Sequence, residues 1–232
     1  VYKSTDGGES WRELTKGLPE VDMGRIGMCV SPADPDVLYA IVEAQRDEGG
    51  VFRSTDRGES WTKRSDYMSQ SPQYYNELVC DPHDVDTVYS MDTWLHVTTD
   101  GGATFTKVGE EHKHVDNHAM WIDPVDPDYV LIGCDGGVYE SFDRGATWRF
   151  MANLPVTQFY RVSVDDRRPF YTICGGTQDN NTLCGPTRTL NSSGIANEDW
   201  FVTVGGDGYE TAIDPENPDI LYSLWQYGGL VR

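Results

Sequence analysis

The residues with the most metal-like chemistry form one short run, His114-x-Asp116-x-His118. On an extended strand alternate residues share a face, so this spacing turns two imidazoles and a carboxylate the same way. Such a set can chelate a divalent cation such as Zn²⁺. It can equally form a hydrogen-bonded wall in which His118 meets a neighbouring carboxylate, and the adjacent His112 and Lys113 dilute the metal pattern. A second chemistry, glycoside hydrolysis, needs two carboxyl groups roughly 5–10 Å apart. Asp116, Asp135, Asp179, Asp207 and Glu210 are the candidates, and nothing in the sequence picks out two of them. A third possibility is recognition alone. Arg25, Tyr75, Trp94, His118, Tyr160, Arg161, Gln178, Asn180, Tyr209 and Trp225 supply the polar groups and aromatic platforms that suit a sugar ring or a peptide side chain. A sialidase would need converging arginines, and Arg25, Arg46 and Arg161 come from separate repeats. No Ser-His-Asp elbow, P-loop or dinucleotide fingerprint is present, because Gly205-Gly206-Asp207-Gly208 lies between strand-like runs rather than before a helix.

What must position these residues is a repeat. Ser4-Thr5-Asp6-Gly7-Gly8-Glu9-Ser10-Trp11 returns as Ser54-Thr55-Asp56-Arg57-Gly58-Glu59-Ser60-Trp61. It returns again as Thr98-Thr99-Asp100-Gly101-Gly102-Ala103-Thr104-Phe105 and as Ser141-Phe142-Asp143-Arg144-Gly145-Ala146-Thr147-Trp148. The aspartates stand 50, 44 and 43 residues apart. In such a unit the hydroxyl and carboxylate accept bonds from turn amides, the glycine takes a positive φ, and the aromatic packs back on the sheet.

A second, proline-bearing unit alternates with it: Ser31–Tyr39, Asp81–Tyr89, Asp123–Asp128 and Asp214–Tyr222, with Asp165–Pro169 as a degenerate copy. Each lies between strand-like runs and reads as a hairpin turn. Every period therefore holds four antiparallel strands, the pattern of a β-propeller blade rather than a β-sandwich. Antiparallel alternation puts the proline turns and the Asp-bearing corners on one face. The loops between strands two and three, and those between blades, share the other face. Asp6, Asp56, Asp100 and Asp143 are then turn staples, and the candidate site residues belong to the opposite face.

These repeats resemble the BNR/Asp-box superfamily. The stretch from His114 through Asp135-Gly136-Gly137-Val138-Tyr139 to Gly175-Gly176-Thr177-Gln178-Asp179-Asn180 is similar to bacterial sortilin/Vps10-like propellers, often described as BNR-repeat glycosyl hydrolases. The resemblance implies an all-β propeller that is extracellular or periplasmic. It also implies a module binding peptide, protein or carbohydrate, with glycoside hydrolysis as the alternative and no cofactor unless a divalent metal sits at the histidine run. Val1-Tyr2-Lys3 and Leu230-Val231-Arg232 fall at the phase of Val51-Phe52-Arg53, inside a third strand. The expectation is about five periods of a larger ring contacting the rest of its own chain, with a compact five-blade ring as the alternative.

Charge and hydropathy narrow the classes further. A formal charge of −20 repels phosphate backbones and anionic lipid. No apolar run approaches the ~20 residues of a bilayer-spanning helix. Five cysteines show no zinc-type spacing, and Cys174 and Cys184 bracket a loop they can bridge in an oxidising compartment, the other reading being small buried core residues.

Overall fold

The computed structural model describes residues 1–152, 154 and 157–232. It divides into two compact units, residues 1–152 and 153–232. In the first, a hairpin of β1 (Tyr2–Lys3) and β2 (Arg12–Glu13) precedes three four-stranded antiparallel sheets. These are β3 (Met23–Val30), β4 (Leu38–Ala44), β5 (Gly50–Ser54) and β6 (Thr62–Ser65); then β7 (Glu77–Cys80), β8 (Val88–Met91), β9 (His96–Thr98) and β10 (Thr106–Lys107). The third comprises β11 (Asn117–Ile122), β12 (Val130–Cys134), β13 (Gly137–Ser141) and β14 (Arg149–Phe150). The second unit holds β15 (Phe159–Val164), β16 (Thr172–Thr177), β17 (Thr182–Pro186) and β18 (Phe201–Val204), then a three-stranded sheet of β19 (Gly208–Ile213), β20 (Leu221–Trp225) and β21 (Gly229–Val231). Within each sheet the strands pair in chain order. First strands of consecutive sheets lie side by side, β3 by β7 and β7 by β11 in one unit and β15 by β19 in the other. That arrangement makes the chain a series of β-propeller blades.

The packing explains why second strands read as unbroken apolar runs. Tyr39, Ala40, Ile41 and Val42 of β4 are all buried, because the blade is covered on both faces. Side chains alternate across it. Tyr39 and Ile41 join Val51, Leu78 and Val88 towards the following blade, whereas Ala40 and Val42 join Leu18, Phe52 and Trp61 on the other side. The next interface repeats the arrangement with Met91, Leu95, Ile122 and Ile132. First strands are more open: β3 exposes Met23, Met28 and Val30.

The two kinds of corner hold each other. In the second Asp-bearing corner, Asp56 Oδ1 accepts the Ser60 amide at 2.9 Å, Asp56 Oδ2 accepts the Ser60 hydroxyl at 2.6 Å, and Ser54 Oγ accepts the Gly58 amide at 2.8 Å. Gly58 adopts φ 84°, a left-handed conformation that favours glycine. Asp6, Asp100 and Asp143 make the same bonds. The amide following the corner aspartate then caps the proline turn of its own blade: Arg57 N to Asp36 O, Gly101 N to Asp86 O, and Arg144 N to Asp128 O, at 3.0–3.1 Å. Both corner types therefore lie on one edge of each blade.

Those donated bonds hold the Asp56 and Asp100 carboxyls down at about 2, chiefly through the Ser60 and Thr104 hydroxyls, and lower Asp6 and Asp143 as well. Glu59, gripped by Arg12 and Lys3, also falls to about 2. A carboxyl depressed in the fold stabilises it above the ordinary carboxyl range and ceases to do so as pH falls through the folded value. The melting temperature should therefore hold from neutrality to about pH 4 and fall steadily between about pH 4 and 2. Calorimetry across that range checks it; an unchanged midpoint at pH 2.5 would contradict it.

Among the described residues two disulfides are present. Cys174–Cys184 ties the paired strands β16 and β17, as their bracketing of one loop suggests. Cys29–Cys80, which the sequence reading missed, clamps β3 to β7 and thus one blade to the next. The loop between β17 and β18 carries no corner of this kind; a single 3-10 turn, Asn197–Asp199, lies there instead.

Candidate functional site

On the edge opposite the corners, the first unit gathers Tyr74, Tyr75, Asp116, His118 and Asp135. Three segments build the cluster: the connector before β7, the connector leading into β11 with the start of that strand, and the β12–β13 turn. Asp116 takes φ 61° and donates its amide to Thr93 O at 2.9 Å, while Asn117 N reaches Asp92 O at 3.0 Å. The β11 lead-in is thereby laced to the loop between β8 and β9. Asp135, in the β12–β13 turn, donates its amide to Asp116 O at 3.2 Å.

The side chains then interlock. The Tyr75 phenol donates to Asp116 Oδ1 at 2.5 Å and accepts from the Thr93 hydroxyl at 3.3 Å. Burial, then its bond to the Asp116 carboxylate, pushes the Tyr75 hydroxyl up to about 12, so it remains a neutral donor. His118 Nε2 lies 2.8 Å from Asp135 Oδ1. The His118 ring runs nearly parallel to Tyr75, with centroids 5.8 Å apart, and Tyr74 stands edge-on to both. Tyr75 is buried, whereas Tyr74 is 59% exposed and forms the cluster's solvent face. Carboxylate oxygens of Asp116 and Asp135 approach within 4.8 Å. Arg25 joins from β3: its guanidinium reaches Gln73 O at 3.4 Å and its carbonyl accepts from the Asn76 side chain at 3.0 Å.

The expected strand face of His114, Asp116 and His118 requires correction. Strand β11 begins only at Asn117, and the positive φ at Asp116 breaks the alternation. A register shift between Asn117 and Ala119 breaks it again. His114 Nδ1 bonds the Val115 carbonyl at 2.9 Å, and the His114 side chain packs against Gly136, where a Cβ would come within 2.6 Å of the ring's Cγ. The three side chains thus point to different partners: the Val115 carbonyl, Tyr75 and Asp135. Trp94 is likewise no open platform, since the Lys107 ammonium sits 3.1 Å from its ring centroid.

The second unit carries its own group. The Arg161 guanidinium lies 5.6 Å over the Tyr209 ring and 3.8 Å from Glu210, with Tyr160 6.1 Å from Tyr209. Asp207 is a loop brace: its carboxylate accepts the Asp179 amide at 2.7 Å, and its own amide donates to Gln226 Oε1 at 2.8 Å. The Gln178 carbonyl accepts from the Asn180 side chain at 2.9 Å. Trp225 packs on Gly229, where a Cβ would meet the indole at 2.3 Å.

Beneath the first cluster lies a feature absent from the sequence reading. Glu110 and Lys113 form an ion pair at 2.8 Å whose side chains are 1% and 0% exposed. The Lys113 ammonium also donates to Asn117 Oδ1 at 2.6 Å and His114 O at 2.8 Å, which uses all three of its protons. The Asn117 side chain returns bonds to Glu110 Oε1 and Asp92 O. Its signal in the sequence is an acid and a base three residues apart in a connector, a spacing that a solvated pair shares.

Neither a family model nor a curated protein matches the chain. Its fold is similar to that of a GH74 enzyme from Niastella koreensis, with TM-score 0.46 and 14% identity over 85% of this chain and 33% of that one. A GH74 xyloglucanase from Xanthomonas campestris gives 0.48 and 19% over 96% and 38%. YCF48 from Cyanidioschyzon merolae gives 0.44 and 15% over 93% and 68%. The chain thus spans 33% and 38% of the lengths of the two GH74 proteins. At these identities no residue correspondence follows.

Proposed function

We propose that this chain is a propeller binding module of the Asp-box, sortilin-like kind, which captures a peptide, protein or glycan on the edge opposite its corners. One observation carries the reading: the exposed Tyr74 ring rests on Tyr75 and His118, whose polar atoms are already pinned by Asp116 and Asp135. A rigid aromatic surface rimmed by carboxylates is preorganised for recognition, because little side-chain freedom remains to be lost on binding. Two disulfides fit an exported protein in an oxidising compartment.

A second reading, glycoside hydrolysis, is favoured by the approach of the Asp116 and Asp135 carboxylates to within 4.8 Å of each other, since that chemistry needs two neighbouring carboxyl groups. One experiment separates the two. Immobilised protein is offered xyloglucan oligosaccharides and a random heptapeptide phage library, and the eluted sugars are analysed for cleavage. A binding module retains a probe uncleaved, and Tyr74→Ala weakens retention about tenfold or more. Cleavage abolished by Asp116→Asn or Asp135→Asn would establish the enzyme instead. Retention unchanged in Tyr74→Ala would sink the proposed surface.

A further inference from the structure

The charges around the Tyr74 surface do not balance. Asp116 is partly exposed and is held by a neutral donor, the Tyr75 phenol at 2.5 Å. Asp92, in the loop between β8 and β9, is 1% exposed. Its carboxylate accepts the Gln70 amide at 2.9 Å and the Thr93 amide at 2.7 Å. Among the described residues no cation lies within 4 Å of either carboxylate. Asp135 is a third acid, facing His118 at 2.8 Å. Burial and the Asp116 bond raise the Tyr75 hydroxyl most, and the negative charges of Asp116 and Asp92 raise it further. A negative potential therefore stands beside an aromatic ring that is open to solvent.

The rings give that potential a direction. Tyr75 and His118 lie within 14° of parallel and end on two carboxylates whose oxygens approach within 4.8 Å. Their polar tips thus point the same way. Tyr74 stands at 84° to the one ring and 90° to the other, closing the side of the stack. An apolar platform consequently adjoins two neighbouring acids, and a ligand laid across it strips water from Asp116. A neutral sugar or an aliphatic side chain would leave that charge uncompensated, which costs free energy. An anion would be repelled. A cation answers the charge that it desolvates.

We propose that this surface takes an arginine side chain of a peptide, its stem lying on the Tyr74 ring and its guanidinium meeting Asp116 beside Asp135. The proposal rests on the reading of Tyr74 as a binding surface and narrows the ligand to a basic peptide. Arginine suits the site better than lysine. Its planar fork can meet neighbouring carboxylates and stack on an aromatic face, whereas an ammonium is compact and more strongly hydrated. Its apolar stem covers the ring while the charged head reaches past it. The charge of −20 on the chain draws such a ligand from a distance, so salt weakens capture. Arg25, whose guanidinium reaches Gln73 O at 3.4 Å beside the platform, is the local charge that works against it.

Titration calorimetry on the whole chain tests this with two pentapeptides, acetylated and amidated at their ends. One is Gly-Gly-Arg-Gly-Gly; the other carries citrulline at its centre, which keeps the shape of arginine and loses the charge. The arginine peptide is expected to bind about tenfold more tightly or better, and to weaken as salt is added. Asp116→Asn should remove that preference by weakening the arginine peptide alone, and Arg25→Ala should tighten it. Tyr74→Ala should weaken both peptides, with circular dichroism and melting temperature verifying the fold of each variant. Equal binding of the two peptides, or an arginine affinity untouched by Asp116→Asn, overturns the proposal. Where both bind equally and Tyr74→Ala still weakens them, the arginine assignment falls and the Tyr74 surface stands. Binding of neither peptide also overturns the assignment, and the surface is then judged by the sugar and phage probes.

Discussion

Lys113→Met is expected to lower the free energy of unfolding by about 3–5 kcal/mol, because it strands a buried carboxylate. Glu110 then loses its only cation within 4 Å among the described residues, with one oxygen already lacking a hydrogen-bond donor. Water cannot take over, because the Glu110 side chain is 1% exposed. Asn117 loses its ammonium partner in the same step, which loosens the lacing of β11 to Asp92 and Thr93. A urea titration reads the loss as a lower midpoint at unchanged slope. The double variant Lys113→Met with Glu110→Leu should recover part of the stability, since removing both charges also removes their desolvation cost. If Lys113→Met alone costs less than about 1 kcal/mol, the pair is hydrated and the description of this network is wrong.

Breaking Cys29–Cys80 is the second large effect. The bridge closes a span of 51 residues, and the loop-entropy relation assigns such a closure about 4 kcal/mol. Cys174–Cys184 spans 10 residues, for which the same relation gives about 3 kcal/mol. The positions sharpen the contrast. Cys29–Cys80 fastens neighbouring blades, whereas Cys174–Cys184 joins strands that β-pairing already holds. Paired serine substitutions, compared by chemical denaturation, should therefore cost more at Cys29 and Cys80. Equal stability with and without reductant would contradict the effect for both bridges.

Corner chemistry makes the blades legible in the sequence. Asp6, Asp56, Asp100 and Asp143 recur with the same hydroxyl and glycine neighbours because each closes its own turn through local bonds. Local bonds leave a local signature. Tyr75, Asp116, His118 and Asp135 come from three separate segments, and their sequence neighbours do not betray the pairing of phenol with carboxylate or of imidazole with carboxylate. The positive φ of Asp116 defeated the strand reading of the histidine run, since alternation assumes extended backbone throughout. Trp94 was misleading for a related reason: the Lys107 that covers it stands 13 positions away, across a β9–β10 turn. Cys29 and Cys80 lie near the ends of consecutive first strands but one repeat position out of step, Cys80 matching Val30 and Cys29 matching Val79, a relation visible only once blades are set side by side.

The division of labour between the two edges of the blades is tested most directly by amide hydrogen exchange, with and without a captured probe. Slowed exchange is expected at residues 71–76, 93–95 and 114–118, with the corners at 54–61 and 98–105 unchanged. Protection confined to those corners, with the Tyr74 and Asp116 segments unaffected, would put recognition on the opposite edge and contradict the proposed site.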